Sequence, residues 1–413
     1  MRLPASLRAL RRRDLRLYFA GQTISLVGTW MQSVAQGWLV YRLTGSSELL
    51  GLVAFAGQAP VLVLAPFAGA LADRLPRRGL ALVTQSVALA QAATLAALVL
   101  TGRVEVWHLI ALAALLGTIM AVDIPTRQAY LTDMAGEDLQ NAIALNSTLV
   151  NAARMVGPAL AGVLVARVGE GPCFLINAAT FLPVIAALAL ARAASTRAAR
   201  AGRGHLLEGL RYARRTTHAR ALLLLMALAS FAGLPYAVLM PVFARDVLHG
   251  GPELLGRLLA VAGLGALVGA AGLLGVEGLP GLGRRVAYGS TVFALGLAGL
   301  ALSDRPLPAG VSLFFAGLGF ITQAGASNTL LQTLAPPELR GRVMGLYTTA
   351  FIGLAPIGGL ILGSAAERFG PRAAVLTGAA ALLAGSVAFH LRLPALRRRV
   401  TAEYPQLFES PGR

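Results

Sequence analysis

The sequence predicts an all-α integral membrane protein, with twelve transmembrane helices arranged as two related six-helix halves. Composition is the first ground. Of 413 residues, 56% are hydrophobic and 13% charged, and the mean hydropathy is +0.69, too apolar for a chain that must clothe itself in polar surface. The second ground is length. The apolar residues fall into about a dozen runs of about 20 residues, enough to cross the hydrocarbon of a bilayer as a helix. The third is continuity. The runs do not alternate with polar residues, which selects helices, whose backbone groups bond internally in lipid, over a β-barrel.

The first run, Leu17 to Val40, follows Arg8, Arg11, Arg12, Arg13 and Arg16. It is longer than a signal-peptide core and lacks a small-residue cleavage site, so it is read as a retained helix. Along it Gln22, Ser25, Thr29, Gln32 and Gln36 recur at spacings of three and four, which puts them on one stripe. A polar stripe avoids lipid, so it faces either a wet cavity or neighbouring helices through interhelical hydrogen bonds. The second and third runs, Leu49 to Ala72 and Gly79 to Leu100, flank Gly69-Ala-Leu-Ala-Asp73-Arg74-Leu-Pro76-Arg77-Arg78. One carboxylate and three guanidiniums where a helix leaves the bilayer make either a charged latch or a simple topology marker.

The fourth run, Trp107 to Pro125, ends on Asp123-Ile-Pro125-Thr-Arg127-Gln128. The fifth, Leu139 to Val165, carries Arg154 and then Gly157-Pro158-Ala-Leu-Ala-Gly162. Arg154 lies about 20 Å into that helix at 1.5 Å per residue, deep enough to hold an anionic or carbonyl-rich substrate or to bond helix-end carbonyls. The proline weakens the helix and the glycines admit a close neighbour, a bending contact or plain packing. The sixth run is Cys173 to Ala191. The second half runs Ala221 to Phe243, Leu254 to Val276, Val286 to Leu302, Ala309 to Thr329, Val343 to Ser364 and Ala373 to Leu393. The segment from Val286 is the shortest. In its fourth helix Gln323 and Ser327, with Asn328, offer a second polar wall.

These runs divide the chain into an N-terminal bundle (1–191), a basic linker (192–220), a C-terminal bundle (221–393) and a tail (394–413). Within the linker, Leu206, Leu207 and Leu210 share a helical face opposite arginines, the pattern of a helix lying on a membrane surface.

Charge sets the orientation. Most of the arginines, including Arg397, Arg398 and Arg399, lie in segments on one side, which the positive-inside rule assigns to the cytoplasm together with both termini. A formal charge of +18 is then explained by topology and by a bilayer with anionic headgroups, with no nucleic acid as partner. All 36 basic residues are arginine. Without lysine there is no P-loop and no Schiff-base nucleophile. One cysteine and five scattered histidines give no disulfide framework and no metal cluster, and no hydrolase or metalloprotease motif is present. The expectation is a protein that is not an enzyme, holds no cofactor or metal, and draws on an ion gradient.

The halves also echo each other. Gln128, Asp138, Gly157-Pro158 and Val168-Gly169 have counterparts in Asn328, Glu338, Ala355-Pro356 and Phe369-Gly370, a weak repeat of the kind that builds paired bundles. With Gly69, Leu71, Asp73, Arg74, Arg77 and Arg78, the loop after the second run resembles the signature of the major facilitator superfamily, with Pro76 where glycine is usual. Asp123 to Gln128 and Arg340-Gly-Arg342-Val-Met-Gly-Leu-Tyr347 resemble its siderophore and macrolide exporter branch. Gly157 to Gly162 resembles the fifth-helix motif of its antiporters, with Ala153 at an expected glycine.

The resemblance implies a major facilitator fold in a bacterial cytoplasmic (inner) membrane, acting as a monomer on a small-molecule substrate. Gly69, Asp73, Arg74, Arg77, Arg78, Asp123 and Arg127 would form the latch. Gln22, Ser25, Thr29, Gln32, Gln36, Arg154, Gln323, Ser327 and Asn328 would be substrate candidates, and Asp123 the proton-coupling candidate. The expected activity is export of a small amphipathic, drug-like or siderophore-like molecule by proton antiport. The alternatives are a gradient-driven importer, a non-transporting membrane sensor, and a membrane-embedded enzyme.

Overall fold

The computed structural model describes residues 5–191, 206–273 and 281–404, with side chains described at 8–64, 75–191, 208–273 and 281–404. Its described residues are almost all helical, without strands. Ten stretches among the described residues are long and apolar enough to cross a membrane. One of them, Val106–Val168, contains two helices, and the polar first helix lies outside the ten, so the count agrees with the runs read from sequence.

Two compact units organise the chain, Met1–Gly202 with Ala244–Ala260, and Arg203–Phe243 with Val261–Arg413. The first contains α1 (Arg13–Thr44), α2 (Ser47–Arg74), α3 (Arg77–Leu100), α4 (Val106–Ala135), α5 (Leu139–Val168) and α6 (Glu170–Leu190). Helix α1 packs on α5 and α6, α2 on α4, and α3 on α6. A left-handed glycine, Gly45 at φ 64°, ends α1; a side chain would strain that backbone. Helix α4 continues through Pro125 to Ala135, well past the end expected at that proline. The Thr126 hydroxyl bonds the Val122 carbonyl at 2.7 Å and Arg127 reaches back one turn to Asp123, so local bonds hold the helix where a proline interrupts the ladder.

The second unit contains α7 (Leu206–Arg215), α8 (Thr217–Leu228), most of α10 (Pro252–Ala271), α11 (Leu282–Leu302), α12 (Pro306–Leu334), α13 (Arg340–Thr348), α14 (Ala355–Phe369) and α15 (Pro371–Glu403), with the single turn α9 (Met240–Val242) between α8 and α10. Helix α8 runs on through a π-helical turn at Ala229–Gly233, and α13 meets α14 through another at Thr349–Gly353. Helix α11 starts four residues before the expected Val286, bringing Arg284 and Arg285 into its first turn. The weak repeat is visible in the backbone. Gly169, between α5 and α6, and Gly370, between α14 and α15, take φ of 84° and 83°, the conformation that lets two antiparallel helices join without a loop.

Of the linker, residues 192–205 lie outside the described residues, as do the side chains of Leu206 and Leu207. The described part of α7 packs on α13. Glu208 pairs with Arg342, Gly209 sits against the Arg342 stem, and Leu210 is exposed. The Tyr212 and Tyr404 hydroxyls both donate to the Leu334 carbonyl at the end of α12. Burial, and then the neighbouring Tyr404, push the Tyr212 phenol up to about 12, so it stays a neutral donor.

Candidate transport pathway and gating networks

The charged residues of the first unit assemble in layers at one end of its helices. Asp123 is fully buried. One carboxylate oxygen accepts from the Thr84 hydroxyl and the Gln85 amide of α3, each at 2.8 Å, and the other pairs with Arg127. The buried Tyr18 phenol on α1 lies close to the same guanidinium. A buried carboxylate is tolerable only when paired and bonded in this way. Nearly three turns further along α4, Asp133 pairs with Arg77 at 2.7 Å, both almost wholly buried, and Arg77 also donates to the Ala129 carbonyl. Arg78 donates to the Leu188 and Ala189 carbonyls, occupying the unsatisfied end of α6. Beyond it, Arg8 and Arg12 meet Asp138.

The pairing is more finely divided than the single expected latch. Arg77 meets Asp133, and Asp123 meets Arg127. The side chains of Gly69, Asp73 and Arg74, at the end of α2, lie outside the described residues.

The stripe on α1 is buried at Gln22, Ser25, Gln32 and Gln36 and half-buried at Thr29. Gln32 donates to Gln91 of α3 at 3.2 Å and accepts from Asn177 of α6 at 2.6 Å, while Gln91 donates onward to the Leu112 carbonyl of α4. Gln36 donates to the Leu109 carbonyl. Thr29 bonds the Ser25 carbonyl on its own helix at 2.9 Å. Gln22 and Ser25 are buried, and the Gln22 carbonyl oxygen has no hydrogen-bond partner among the described residues. Gln32 and Gln36 therefore tie four helices together.

Arg154 lies over the ring of Trp30, with 4.9 Å between the guanidinium carbon and the ring centroid. This contact holds a cation inside an apolar helix bundle by the aromatic quadrupole. Gly157 makes it reachable. A side chain there would meet Trp30 Cβ at 2.5 Å and the Val27 carbonyl at 3.0 Å, so glycine lets α5 close on α1. Gly162, further along α5, has a different neighbour. A Cβ there would come within 2.8 Å of the Gly256 backbone on α10, and Gly256 faces Pro158 and Gly162 with equal closeness. The motif thus seats two helices. Nearby, Tyr41 at the end of α1 hydrogen-bonds Asp246, and Arg245 lies over the Tyr41 ring at 5.8 Å.

In the second unit, buried Gln323 donates to the Leu225 carbonyl of α8, and its own carbonyl oxygen, with the Ser327 and Ser290 hydroxyls, has no hydrogen-bond partner among the described residues. Asn328 accepts from Gln332 on the same helix. Phe293, Phe320, Phe351 and Tyr347 form a continuous aromatic ladder, and the Ser230 hydroxyl joins the two π-helical turns by a 2.8 Å bond to the Phe351 carbonyl.

Comparison with known proteins rests on this frame. A major facilitator superfamily model described as "Transmembrane secretion effector" matches residues 5–409. The chain belongs to that family of transporters. It is 29% identical over 410 residues to the multidrug efflux pump Tap of Mycolicibacterium fortuitum, covering 95% of this chain and 98% of the pump. The staphyloferrin A transporter of Staphylococcus aureus is 26% identical, covering 86% and 89% of the two chains. Among solved structures, the nucleoside transporter NupG superposes with a TM-score of 0.72 at 13% identity, over 92% of this chain and 98% of that one, a likeness of fold. The protein is accordingly a multi-pass membrane transporter and not an enzyme.

Several residues of this transporter site were missed in its sequence. Thr84, Gln85, Gln91 and Asn177 are polar residues inside apolar runs, the same signal that marked the first-helix stripe and Gln323 with Ser327. Asp133 sits ten residues past Asp123, outside the expected span, and Trp30 gave no sign of its pairing with Arg154.

Proposed function

We propose that this transporter exports a small amphipathic molecule from the bacterial cytoplasm across the inner membrane, with both termini cytoplasmic, by alternating access coupled to proton entry. Export is carried by one observation, the similarity across nearly the whole chain to a protein named for multidrug efflux. The cytoplasmic termini rest on the arginine asymmetry.

The site chemistry supports a division of labour. Asp123 is the proton carrier of this reading. A proton on its carboxylate cancels the charge that holds Arg127, releases that guanidinium, and loosens α4 against α3, which biases one conformation over another. Arg154 over Trp30 is the substrate element, a cation backed by a flat aromatic face that suits an anionic or carbonyl-rich ring system. Gln22, Ser25 and Thr29 on α1, and Gln323 and Ser327 on α12, supply further polar contacts, while Gln32 and Gln36 act as braces.

The test is accumulation of a panel of macrolides, dyes and siderophores in an efflux-deficient host. Lower accumulation with the protein, reversed by a protonophore, is the expected outcome. Accumulation raised by the protein would reverse the direction, and loss of accumulation insensitive to the protonophore would remove proton coupling.

A further inference from the structure

At the end of the second unit that carries Arg397, Arg398 and Arg399, the helices α8, α11, α12 and α15 surround a cavity of about 370 Å³. Its walls are apolar, with Leu222, Leu330, Leu334 and Phe389 among them. Its rim is cationic. Arg284, Arg397 and Arg398 line it, are exposed, and make neither an ion pair nor a side-chain hydrogen bond among the described residues, unlike Arg399, which donates to the Thr217 hydroxyl at 3.1 Å. His218 also lines the cavity. It is 6% exposed, and its Nε2 has no hydrogen-bond partner among the described residues. A buried imidazole nitrogen left unbonded forfeits its solvation with nothing in return, which leaves His218 with hydrogen-bonding capacity to offer a polar group of a ligand.

Apolar walls, a buried nitrogen and three uncommitted guanidiniums together describe a receptor for an anion attached to a hydrocarbon chain. The three arginines cluster where α15 passes from apolar to basic sequence and α11 begins, the depth of lipid headgroups. The ligand of that chemistry present there at high local concentration is a membrane lipid. We propose that this cavity binds one anionic phospholipid, its phosphate on Arg284, Arg397 and Arg398, a phosphate or ester oxygen on His218, and the start of an acyl chain among Leu222, Leu330 and Phe389. None of these residues belongs to the substrate or gating groups, so the lipid site stands apart from the transport reading.

The test is native mass spectrometry of the purified full-length protein titrated with phosphatidylglycerol or phosphatidylcholine, alongside thermal denaturation in nanodiscs of each lipid. The wild type is expected to retain one phosphatidylglycerol preferentially and to melt higher in its presence. The combined Arg284→Gln, Arg397→Gln and Arg398→Gln variant should bind it on the order of a hundredfold more weakly. An equal charge removal at the exposed Arg103, Arg305 and Arg368 should leave binding intact. His218→Ala should weaken phosphatidylglycerol retention severalfold while the preference over phosphatidylcholine, set by the arginines, persists. Because the arginines are exposed, unchanged melting of the triple variant in phosphatidylcholine serves as the folding control. Wild-type affinity in the triple variant, equal losses in the charge control, or full protection by inorganic phosphate alone would each overturn the proposal.

Discussion

The two units solve the same problem, polar groups inside a membrane bundle, with different chemistry. The first uses charge and amides. Asp123 with Arg127, Arg77 with Asp133, and Gln32 with Gln91 and Asn177 form stiff, directional links between helices. The second is without a buried carboxylate or guanidinium among the described residues. It relies on the ladder from Phe293 to Tyr347 and on two π-helical turns joined through Ser230. Buried ion pairs hold one geometry and break at a high cost, because the survivor is left charged in a dry place. Ring stacks slide, and π-helical turns mark helices that change register or bend. A third such turn, at Phe243–Val247, falls almost wholly in the first unit, so the contrast rests on the ion pairs of the first unit and the aromatic ladder of the second, and the second is expected to be the more compliant.

The largest expected effect comes from breaking one member of a first-unit pair. Asp123→Asn leaves Arg127 uncompensated and should cost about 3–5 kcal/mol of stability, with transport in proteoliposomes lost almost completely. The double variant Asp123→Asn with Arg127→Gln should recover much of the stability and none of the proton coupling. Full recovery of both would reduce the pair to a structural link.

Next in size is overpacking at the close helix contacts. Gly162→Leu drives a side chain into the Gly256 backbone, and Gly358→Leu drives one into the Phe231 carbonyl of the second unit, each costing about 1–3 kcal/mol. If the second unit is the more compliant, the thermal shift for Gly358→Leu is the smaller of the two, and equal shifts would erase the distinction.

Arg154→Gln removes a cation–π contact worth about 2 kcal/mol when desolvated. Flux of anionic substrates should fall by roughly tenfold to thirtyfold while neutral substrates are spared. A uniform loss across substrates would make Arg154 a brace for α5 on α1.

The smallest effect is at the second unit's joint. Ser230→Ala deletes one hydrogen bond, about 1 kcal/mol, and should raise hydrogen exchange at 229–233 and 349–353 together. Exchange that rises at only one turn would show the two to be independent.

Much of the fold was legible because a bilayer imposes one length and one backbone solution on every crossing segment. The runs around Leu17, Gly79 and Cys173 needed no tertiary information, and the paired Gly169 and Gly370 were visible as the ends of a weak repeat. The site was legible by residue type but not by partner. Arg77, Asp123 and Arg154 stood out as ions beside or within apolar runs, yet the sequence placed Asp133 beyond the span and gave no reason to set Trp30 under Arg154.

By itself the sequence determined the solvent this protein lives in and its helical class, because those follow from hydrophobicity summed along local windows. Tertiary structure alone decided which arginine meets which carboxylate, that Gln32 and Gln36 brace helices, and that Gly157 and Gly162 serve different neighbours. Such choices depend on distances between residues far apart in the chain, and a few ångströms in a medium of low dielectric separate a paired charge from one that unfolds the bundle.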